Sequence, residues 1–465
     1  MYDMISGLRM VYHHRWTCGS APQEDSALKY SIPYGDDVIS FDTFANKVLF
    51  EGDMVSIPPV CDFKSELLRS LDSPIASVSL ATLAKGKRDI LILVEDNTRD
   101  TPLTDILPVV TDYLKASGVP ASAIRFMIAH GTHRLMTDEE IRKKLGDFIV
   151  DNFTVYQHEA ADANQMEDLG EIEMEGYNLP VRINRRALEA DLLIGIGNII
   201  PHSDAGFSGG AKIVQPGICD FVTTQATHRS AGFCPDIPLG MLDGNPCRAG
   251  IDAVGRVAKL AFIINVVKNC DGEVAGFFCG DYMKAHRAGV ELSRKSYSVE
   301  LDELADIVIV SSSPADMDYW QGIKGLTSAY FAVKQGGAVI LAAPCYEGLA
   351  HNHPLYAHWL AQPTHVLVEA IQAASPHDLE TDIISAVVAL GSRRTLERAE
   401  VYMVSDGLSD QEIRDMGYTP TATVQEALDA ALTKRPEATI GILPLGGISL
   451  PFLAKNSILK NNCGD

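Results

Sequence analysis

The chain lacks the cysteine patterns that hold disulfide-rich or zinc-binding folds together. Its 9 cysteines are scattered, odd in number and include no C-x-x-C pair. This usage argues against a disulfide framework or a zinc ribbon, and it favours a reducing compartment. The chain also lacks any run of about 18 apolar residues, the length that spans a bilayer. We therefore expect a cytoplasmic protein with no membrane partner.

Basic residues are in short supply as well. Lysine and arginine total 39 against 61 aspartates and glutamates, which gives a formal net charge of -22. A sequence-independent nucleic-acid binder needs a basic face to displace counterions, so this balance argues against one. A local cationic pocket is compatible with the balance, and so is a small anionic substrate.

Several common catalytic signatures are absent. The H-E-x-x-H, P-loop and G-x-S-x-G motifs do not occur, and Gly195-Ile-Gly197 is only part of a dinucleotide fingerprint. Candidate chemistry must therefore be sought in other combinations of residues.

The length of the chain predicts two domains. A chain of 465 residues is too long for one ordinary core, and 46% apolar with 22% charged residues is typical of a folded protein. We expect an extension over 1–26, without a signal-peptide apolar core, and a cofactor-binding domain over 27–297. A second domain is expected over 298–443, with the tail 444–465 returning to the first.

Strand-length apolar runs alternate with helical patterns such as Leu103 to Ala116 and Asp138 to Leu145. This alternation predicts an α/β fold of two domains, each with a mainly parallel sheet flanked by helices. Ligands of such sheets bind at the carboxyl ends of the strands, so we expect the active site in the interdomain cleft. The predicted strands are Asp89–Val94, Ile124–Ala129, Ala190–Gly195, Leu260–Asn265, Ala305–Val310, Gly337–Ala342, Glu400–Val404 and Ala438–Leu443.

The most informative segment is a glycine-rich loop around Lys212, with His202 before it and His228 after it. Glycines such as Gly209 and Gly210 allow a ligand to approach the backbone closely. The lysine is a candidate covalent anchor or phosphate ligand, and the histidines are candidates for metal binding or proton transfer. The plainer alternative is a strand-to-helix turn with a solvated lysine.

Three other loops that follow predicted strands carry candidate groups. Each also has a structural reading, as a helix cap, a surface loop or an exposed turn. Free N–H groups and side-chain donors near Pro102 would bind an anion, the histidines of the second loop are candidates for metal binding or proton transfer, and a Gln–Lys pair in the third would clamp a carboxylate. The residues concerned are Asp96, Thr98, Arg99 and Thr101; His130 and His133; and Gln321 and Lys324.

Together these segments resemble the LarA-type family of nickel-dependent lactate racemases. The likeness extends from about Leu28 to the C-terminus, and the order and spacing of five motifs make it specific. The motifs are Asp96-x-Thr98-Arg99-x-Thr101-Pro102, Gly131-x-His133-Arg134, Pro201-His202 through Gly209-Gly210-x-Lys212, His228, and Tyr319-Trp320-Gln321-x-x-Lys324.

The resemblance implies a tethered cofactor. Family members carry a nickel pincer nucleotide, a pyridinium mononucleotide with two sulfur-bearing groups. Lys212 matches the lysine that holds this nucleotide covalently, and His228 matches the protein ligand of nickel, a metal suited to such soft planar donors. The resemblance implies that the other cofactor-binding residues are Asp96, Thr98, Arg99, Thr101, Gly209 and Gly210.

The resemblance also implies a reaction, the racemisation or epimerisation of a 2-hydroxy acid. His133 and His202 match the paired acid–base residues that serve hydride transfer at C2. Arg99, Gln321 and Lys324 match the groups that hold the substrate carboxylate. Lactate is one candidate among several acids. Cofactor-synthesis enzymes are implied partners, and a homo-oligomer is compatible with the sequence.

Two other functions are compatible with the residues themselves. A lyase or aldolase could form a Schiff base on Lys212, which borohydride and substrate would trap without any nickel. A non-catalytic protein could bind an anion or the cofactor. Nickel content and a mass increase on a Lys212 peptide distinguish the racemase from both.

Overall fold

The computed structural model describes residues 27–52, 54–232 and 239–454. Within these ranges the predicted α/β class is confirmed, since two mainly parallel sheets are flanked by helices. The predicted extension 1–26 and the last part of the predicted tail lie outside the described residues. None of the described helices combines the length and the apolar character needed to cross a bilayer.

The strands and helices follow each other in the alternation that the sequence predicts. The strands are β1 (Ala27–Tyr34), β2 (Asp37–Phe44), β3 (Val48–Glu51), β4 (Ile90–Glu95), β5 (Ile124–Ala129), β6 (Thr154–Gln157), β7 (Met166–Met174), β8 (Tyr177–Asn184), β9 (Leu192–Asn198), β10 (Pro201–His202), β11 (Gly206–Phe207), β12 (Leu260–Lys268), β13 (Val274–Gly280), β14 (Ser298–Leu301), β15 (Ala305–Ser311), β16 (Val333–Ala342), β17 (Ala399–Val404), β18 (Thr419–Pro420), β19 (Ile440–Leu443) and β20 (Leu450–Leu453). The helices are α1 (Phe63–Asp72), α2 (Leu80–Ala84), α3 (Leu103–Ala116), α4 (Asp138–Leu145), α5 (Asp147–Asn152), α6 (Arg185–Glu189), α7 (Phe221–Gly232), α8 (Pro246–Val257), α9 (Lys284–Tyr297), α10 (Tyr319–Tyr330), α11 (Tyr356–Leu360), α12 (Thr364–Ala373), α13 (Ile383–Arg398), α14 (Asp410–Asp415) and α15 (Val424–Lys434).

The first sheet has the strand order β13-β12-β9-β4-β5-β6. All its neighbouring strands are parallel except β12 and β13, which are antiparallel. Every residue of β4 is buried, as expected for a central strand with helices on both faces. The carboxyl ends of β4, β5 and β9 therefore lie side by side at one edge of the sheet.

Local sequence explains the two helices whose limits the periodicity predicts. In α3 the buried residues Leu103, Ile106, Leu107, Val110 and Leu114 recur at helical spacing along one face. The helix α4 begins at a capping box, in which Thr137 and Glu140 satisfy each other's backbone N–H groups.

The second sheet has the order β18-β17-β16-β15-β19-β3, with all neighbours parallel. Its central strands β15 and β16 are apolar and largely buried. The helix α10, which carries the predicted Gln–Lys pair, follows β15 through the loop that ends at Asp318. Asp318 caps this helix by accepting a hydrogen bond from the backbone N–H of Gln321 at 2.7 Å.

The beginning of the described chain differs from the predicted domain limits. Residues 27–51 were expected in the first domain, but β3 pairs in parallel with β19 at the edge of the second sheet. Ile32 and Phe41 of the β1–β2 hairpin pack in the same core as Ile307 and Ile340. The hairpin buries its apolar face on the second sheet, a pairing that no local sequence pattern records.

The end of the described chain contacts both halves of the molecule. Strand β20 pairs in parallel with β14 directly after α9. Leu450 packs with Ile199, Phe207 and Tyr297, which adjoin the first sheet. The preceding turn lies against the second sheet instead, since the Ser328 hydroxyl donates to the carbonyl of Gly446 at 2.7 Å.

Candidate active site

The loops that follow the central strands of the first sheet meet around one cavity. Asp96 and Arg99 follow β4, His133 follows β5, and the loop after β9 contributes Gly209 and Lys212 to the same lining. Parallel strands place these loops at one edge because their carboxyl ends are aligned. The structure therefore brings together three of the segments that the sequence singles out.

The buried Asp96 and the partly exposed His133 form a hydrogen-bonded pair in the lining of this cavity. The Nδ1 of His133 donates to a carboxylate oxygen of Asp96 at 2.7 Å, and the Thr98 backbone N–H donates to the other oxygen at 3.0 Å. Burial raises the pKa of Asp96, but the neighbouring His133 and His130 outweigh it and hold this pKa well below its usual range. The ionised carboxylate fixes the His133 ring with its proton on Nδ1.

The other nitrogen of His133 faces the second half of the molecule. Its Nε2 lies 3.2 Å from the side-chain nitrogen of Gln321, so the ring accepts from the amide N–H. The amide oxygen of Gln321 accepts in turn from the Lys324 ammonium at 2.6 Å. One hydrogen-bonded chain therefore runs from Lys324 to Asp96 and joins the two halves of the site.

Lys324 is a cation held in an unfavourable environment. Burial lowers the pKa of Lys324 well below its usual value, and the charges of Arg99 and Lys212 lower it further. A bound carboxylate would offset this repulsion, because an anion stabilises the charged form of each cation near it. The arrangement is therefore suited to binding a small acid.

His202 lies in the short hairpin formed by β10 and β11. Its Nδ1 accepts from the backbone N–H groups of Asp204 at 3.2 Å and Ala205 at 3.3 Å. The proton of the neutral ring is therefore on Nε2, the opposite arrangement to that of His133. Burial lowers the pKa of His202 well below its usual value. The charges that lower this pKa further belong to Lys212, Lys324, Arg99 and His228.

Lys212 lies in the 3-10 turn Gly210–Ile213 and lines the cavity after β9. Burial, followed by the charge of Arg99, lowers the pKa of Lys212 to about 7. A large fraction of this amine is therefore unprotonated near neutral pH, in contrast to an ordinary surface lysine.

His228 lies on α7 and points its Nδ1 at its own helix. That nitrogen donates to the carbonyl oxygen of Thr224 at 2.9 Å, which leaves the lone pair on Nε2. Burial lowers the pKa of His228, while the Asp204 carboxylate and the bond to Thr224 raise it in part. A neutral imidazole whose other nitrogen is held by a carbonyl is the usual form of a metal-binding histidine.

Two family models match the chain, the lactate racemase N-terminal domain over residues 34–236 and the lactate racemase C-terminal domain over residues 301–450. The chain belongs to the lactate racemase family. It is 31% identical to the lactate racemase of Thermoanaerobacterium thermosaccharolyticum over 89% of this chain and 97% of that protein. It is 35% identical to the lactate racemase of Lactiplantibacillus plantarum over 81% of this chain and 88% of the relative. The chain is therefore a racemase, and so an isomerase.

Solved structures agree with this membership. The structure of the lactate racemase apoprotein from Thermoanaerobacterium thermosaccharolyticum matches with a TM-score of 0.81 at 30% identity. It covers 91% of this chain and 100% of that chain. A crystal structure of a protein from Thermotoga maritima shares the fold, with a TM-score of 0.67 at 21% identity over 86% of this chain and 100% of that one.

Not every predicted ligand-binding group of this lactate racemase family member is available to a ligand. Thr101 is buried, and its single O–H donates to the carboxylate of Glu95, so its predicted role as a cofactor donor is not supported. Thr98 lines the cavity, but its O–H donates to Asp96. Arg99 lines the cavity while donating to the carbonyl of Thr98 at 3.0 Å, which leaves further N–H groups of its guanidinium for an anion.

The glycines before Lys212 are explained by packing within the protein. Both have positive φ, 77° at Gly209 and 60° at Gly210. A Cβ on Gly209 would approach Ile199 at 2.8 Å, and one on Gly210 would approach the His286 ring at 2.9 Å. The backbone turn that presents Lys212 therefore requires residues without a side chain at these two positions.

Two residues that support the site were not identified from the sequence. Asn265, at a position read only as strand, accepts from the backbone N–H of Gly210 at 2.8 Å and so holds the Lys212 turn. His353 lies between the Thr132 hydroxyl and the Asp382 carboxylate, 3.1 Å from each, and lines a pocket together with His133. Only His353 could have been found from the sequence, because histidine is a common functional residue. The contacts of both residues connect segments far apart in the chain, so they leave no periodic pattern.

Proposed function

We propose that this racemase inverts C2 of a 2-hydroxy acid, lactate or a related acid, using a nickel pincer nucleotide attached to Lys212. The observation that carries the proposal is the convergence of basic side chains on His202. The converging groups are Lys212, Lys324, Arg99 and His228. A cofactor held by Lys212 and His228 would therefore share one site with an acid held by Lys324 and Arg99.

The residues present fit this cofactor. The lowered pKa of Lys212, about 7, gives an amine able to form a covalent link near neutral pH. The Nε2 lone pair of His228 is available to a metal because Nδ1 is committed to Thr224. When bound, the nucleotide supplies a hydride acceptor that can return the hydride to either face of C2. The relative from Thermoanaerobacterium thermosaccharolyticum is described as an apoprotein, which agrees with a separately supplied cofactor.

The carboxylate of the substrate would bind to Lys324 and Arg99. Arg99 is close enough to lower the pKa of Lys324, and an anion between these two side chains would relieve that repulsion. Gln321 holds the Lys324 ammonium in place through its amide oxygen. Fixing the carboxylate in this way would allow only the C2 centre to change its configuration.

His133 and His202 would both act on the hydroxyl proton and its oxygen. The Nε2 lone pair of His133, which accepts from the Gln321 amide in this structure, would take this proton as hydride leaves C2, and the ionised Asp96 would stabilise the charged ring. His202 would donate its Nε2–H as a hydrogen bond to the same oxygen. The charged His133 ring would return the proton when hydride returns to the opposite face of C2, so the step balances in either direction.

The test uses protein co-expressed with cofactor-synthesis enzymes, the partners that would load Lys212. Wild-type protein should contain about one nickel per chain, since one His228 completes one metal site, and a mass increase on the Lys212 peptide. It should also racemise an enantiopure 2-hydroxy acid, measured by chiral chromatography. His228→Ala should lose nickel while it keeps the added mass, whereas Lys212→Ala should lose both. Turnover by protein that carries neither nickel nor added mass would contradict the proposal.

A further inference from the structure

A second cavity lies between the two halves of the molecule, beside the site described above. Its volume is about 130 Å³. For scale, an engineered cavity of about 150 Å³ accommodates a benzene ring. The methyl group of lactate would leave most of such a space unfilled.

The cavity adjoins three of the candidate catalytic elements. Ser203 and Asp204, which directly follow His202, line it from the first half of the molecule. Thr327 lines it from α10, one helical turn beyond Lys324, and Ala231 lines it from α7, one turn beyond His228.

Asp204 connects this cavity with the groups proposed to hold the cofactor. Its carboxylate lies near enough to Lys212 and His228 to offset part of the lowering of their pKa values that burial causes. The same residue lines the second cavity, with its carboxylate accepting from the Ser203 hydroxyl at 3.2 Å. The second cavity therefore lies next to the groups around which C2 of the substrate would lie.

The polar lining of the cavity selects a chemical class of occupant. Asp204 is acidic, whereas Thr327 and Thr395 bring hydroxyl oxygens and Arg394 brings a cation. Apolar residues of α10 and α13, including Ile323, form part of the remaining lining. Hydroxyl groups can donate to the carboxylate and accept from the cation, whereas a second carboxylate would be repelled by Asp204.

We propose that this second cavity receives the chain beyond C2 of the substrate, and that the preferred substrates are monocarboxylic 2-hydroxy acids with further hydroxyl groups at C3 and C4. This inference rests on the proposed function, because it places the acid in the site formed by His133, His202 and Lys324. Asp204 is then a specificity-determining residue that accepts hydrogen bonds from the distal hydroxyl groups.

The experiment compares kcat/KM of the nickel-loaded enzyme for lactate, 2-hydroxybutanoate, 2,3,4-trihydroxybutanoate and malate, measured by chiral chromatography. We expect the trihydroxy acid to exceed lactate and 2-hydroxybutanoate by at least about tenfold, the effect of one hydrogen bond to a charged group. Asp204→Leu should remove most of that advantage, measured as the ratio of kcat/KM for the trihydroxy acid to kcat/KM for lactate. Asp204→Asn should raise kcat/KM for malate above the wild-type value, because it removes the negative charge that repels the second carboxylate.

Controls separate the inference from folding and from the proposed function. Asp105→Asn changes an exposed carboxylate on α3 and should leave the substrate ranking unchanged. Thr327→Val keeps the shape of its side chain and should lower kcat/KM for the trihydroxy acid alone. This variant provides a second test if Asp204→Leu fails to fold. Equal kcat/KM for lactate and the trihydroxy acid, or an equal loss for all acids in Asp204→Leu, would overturn the inference. Failure of the loaded enzyme to racemise any of the acids would instead overturn the proposed function.

Discussion

Gln321 and His133 lie 188 positions apart in the chain, yet their side-chain nitrogens are 3.2 Å apart. The contact joins a helix of the second half to a loop of the first. Because Gln321 also accepts from Lys324, the proposed carboxylate-binding group and the proposed base are held by one amide. Substrate binding and proton transfer therefore depend on the same relative position of the two halves.

The lowered pKa of Lys212 predicts selective acylation of the apoprotein. With a pKa of about 7, its reaction with an acetylating reagent should reach half its maximal rate near pH 7. A free lysine side chain has a pKa of about 10.4. The peptide that contains the exposed Lys64 is followed in the same digest as the internal control. Mass spectrometry of the two peptides across a pH series measures both rates. Parallel pH profiles for the two lysines would contradict an unprotonated amine at position 212.

Asp96→Asn should impair proton transfer without releasing the cofactor. The variant keeps the shape of the side chain but removes the negative charge that stabilises the His133 ring after it accepts a proton. We expect kcat to fall by about 10²–10⁴, the range for a lost acid–base contribution. Nickel content and the mass of the Lys212 peptide should remain at wild-type values. A loss of nickel in this variant would indicate that Asp96 holds the nucleotide rather than the base.

Lys324→Ala should weaken binding of the substrate acid. One charge-assisted hydrogen bond contributes about 1.5–3 kcal/mol, so KM should rise by about 10–150-fold. Lys434→Ala, an exposed lysine that pairs with Glu400, is the matched control and should change KM little. Initial rates at several concentrations of the substrate acid give KM for each variant. An unchanged KM in Lys324→Ala would place the carboxylate elsewhere.

Arg134 should stabilise the contact between the two halves of the molecule, and this contribution should depend on pH. It donates to Glu140 of the first half at 2.6 Å and to Glu347 of the second half at 2.5 Å. The hydrogen bond from Arg134 lowers the pKa of Glu140 to about 2. Since the unfolded pKa is higher, this contribution is present above about pH 4.5, the ordinary range for glutamate, and is lost as the pH falls toward 2.

Thermal unfolding of an Arg134 variant measures this contribution. Arg134→Met should lower the Tm at pH 7, and the difference from wild type should shrink as the pH falls below about 4.5, where glutamate begins to gain its proton. Arg142→Met is the matched control, because Arg142 also pairs with two carboxylates but is more exposed and contacts Asp147 and Asp151 within one half. Equal Tm losses at pH 7 for the two variants would show that the contact between the halves adds nothing beyond an ordinary surface pair.

Much of the fold was determined locally by the sequence. Helical periodicity and a capping box define α3 and α4, and the apolar runs mark the central strands of both sheets. The motifs also identified the side chains that meet around the cavity, including Lys212 and His133. These features were predictable because hydrophobic spacing, capping and loop position at strand ends act over a few residues.

Only the tertiary structure decided which of these groups touch. In the tertiary structure β3 lies at the edge of the second sheet, Asp96 accepts a hydrogen bond from His133, and Thr101 donates one to the buried Glu95. The opposite proton positions of His133 and His202 also follow from their partners rather than from residue type. Such pairings connect segments far apart in the chain, and they are set by which surfaces can be buried together with every polar group satisfied.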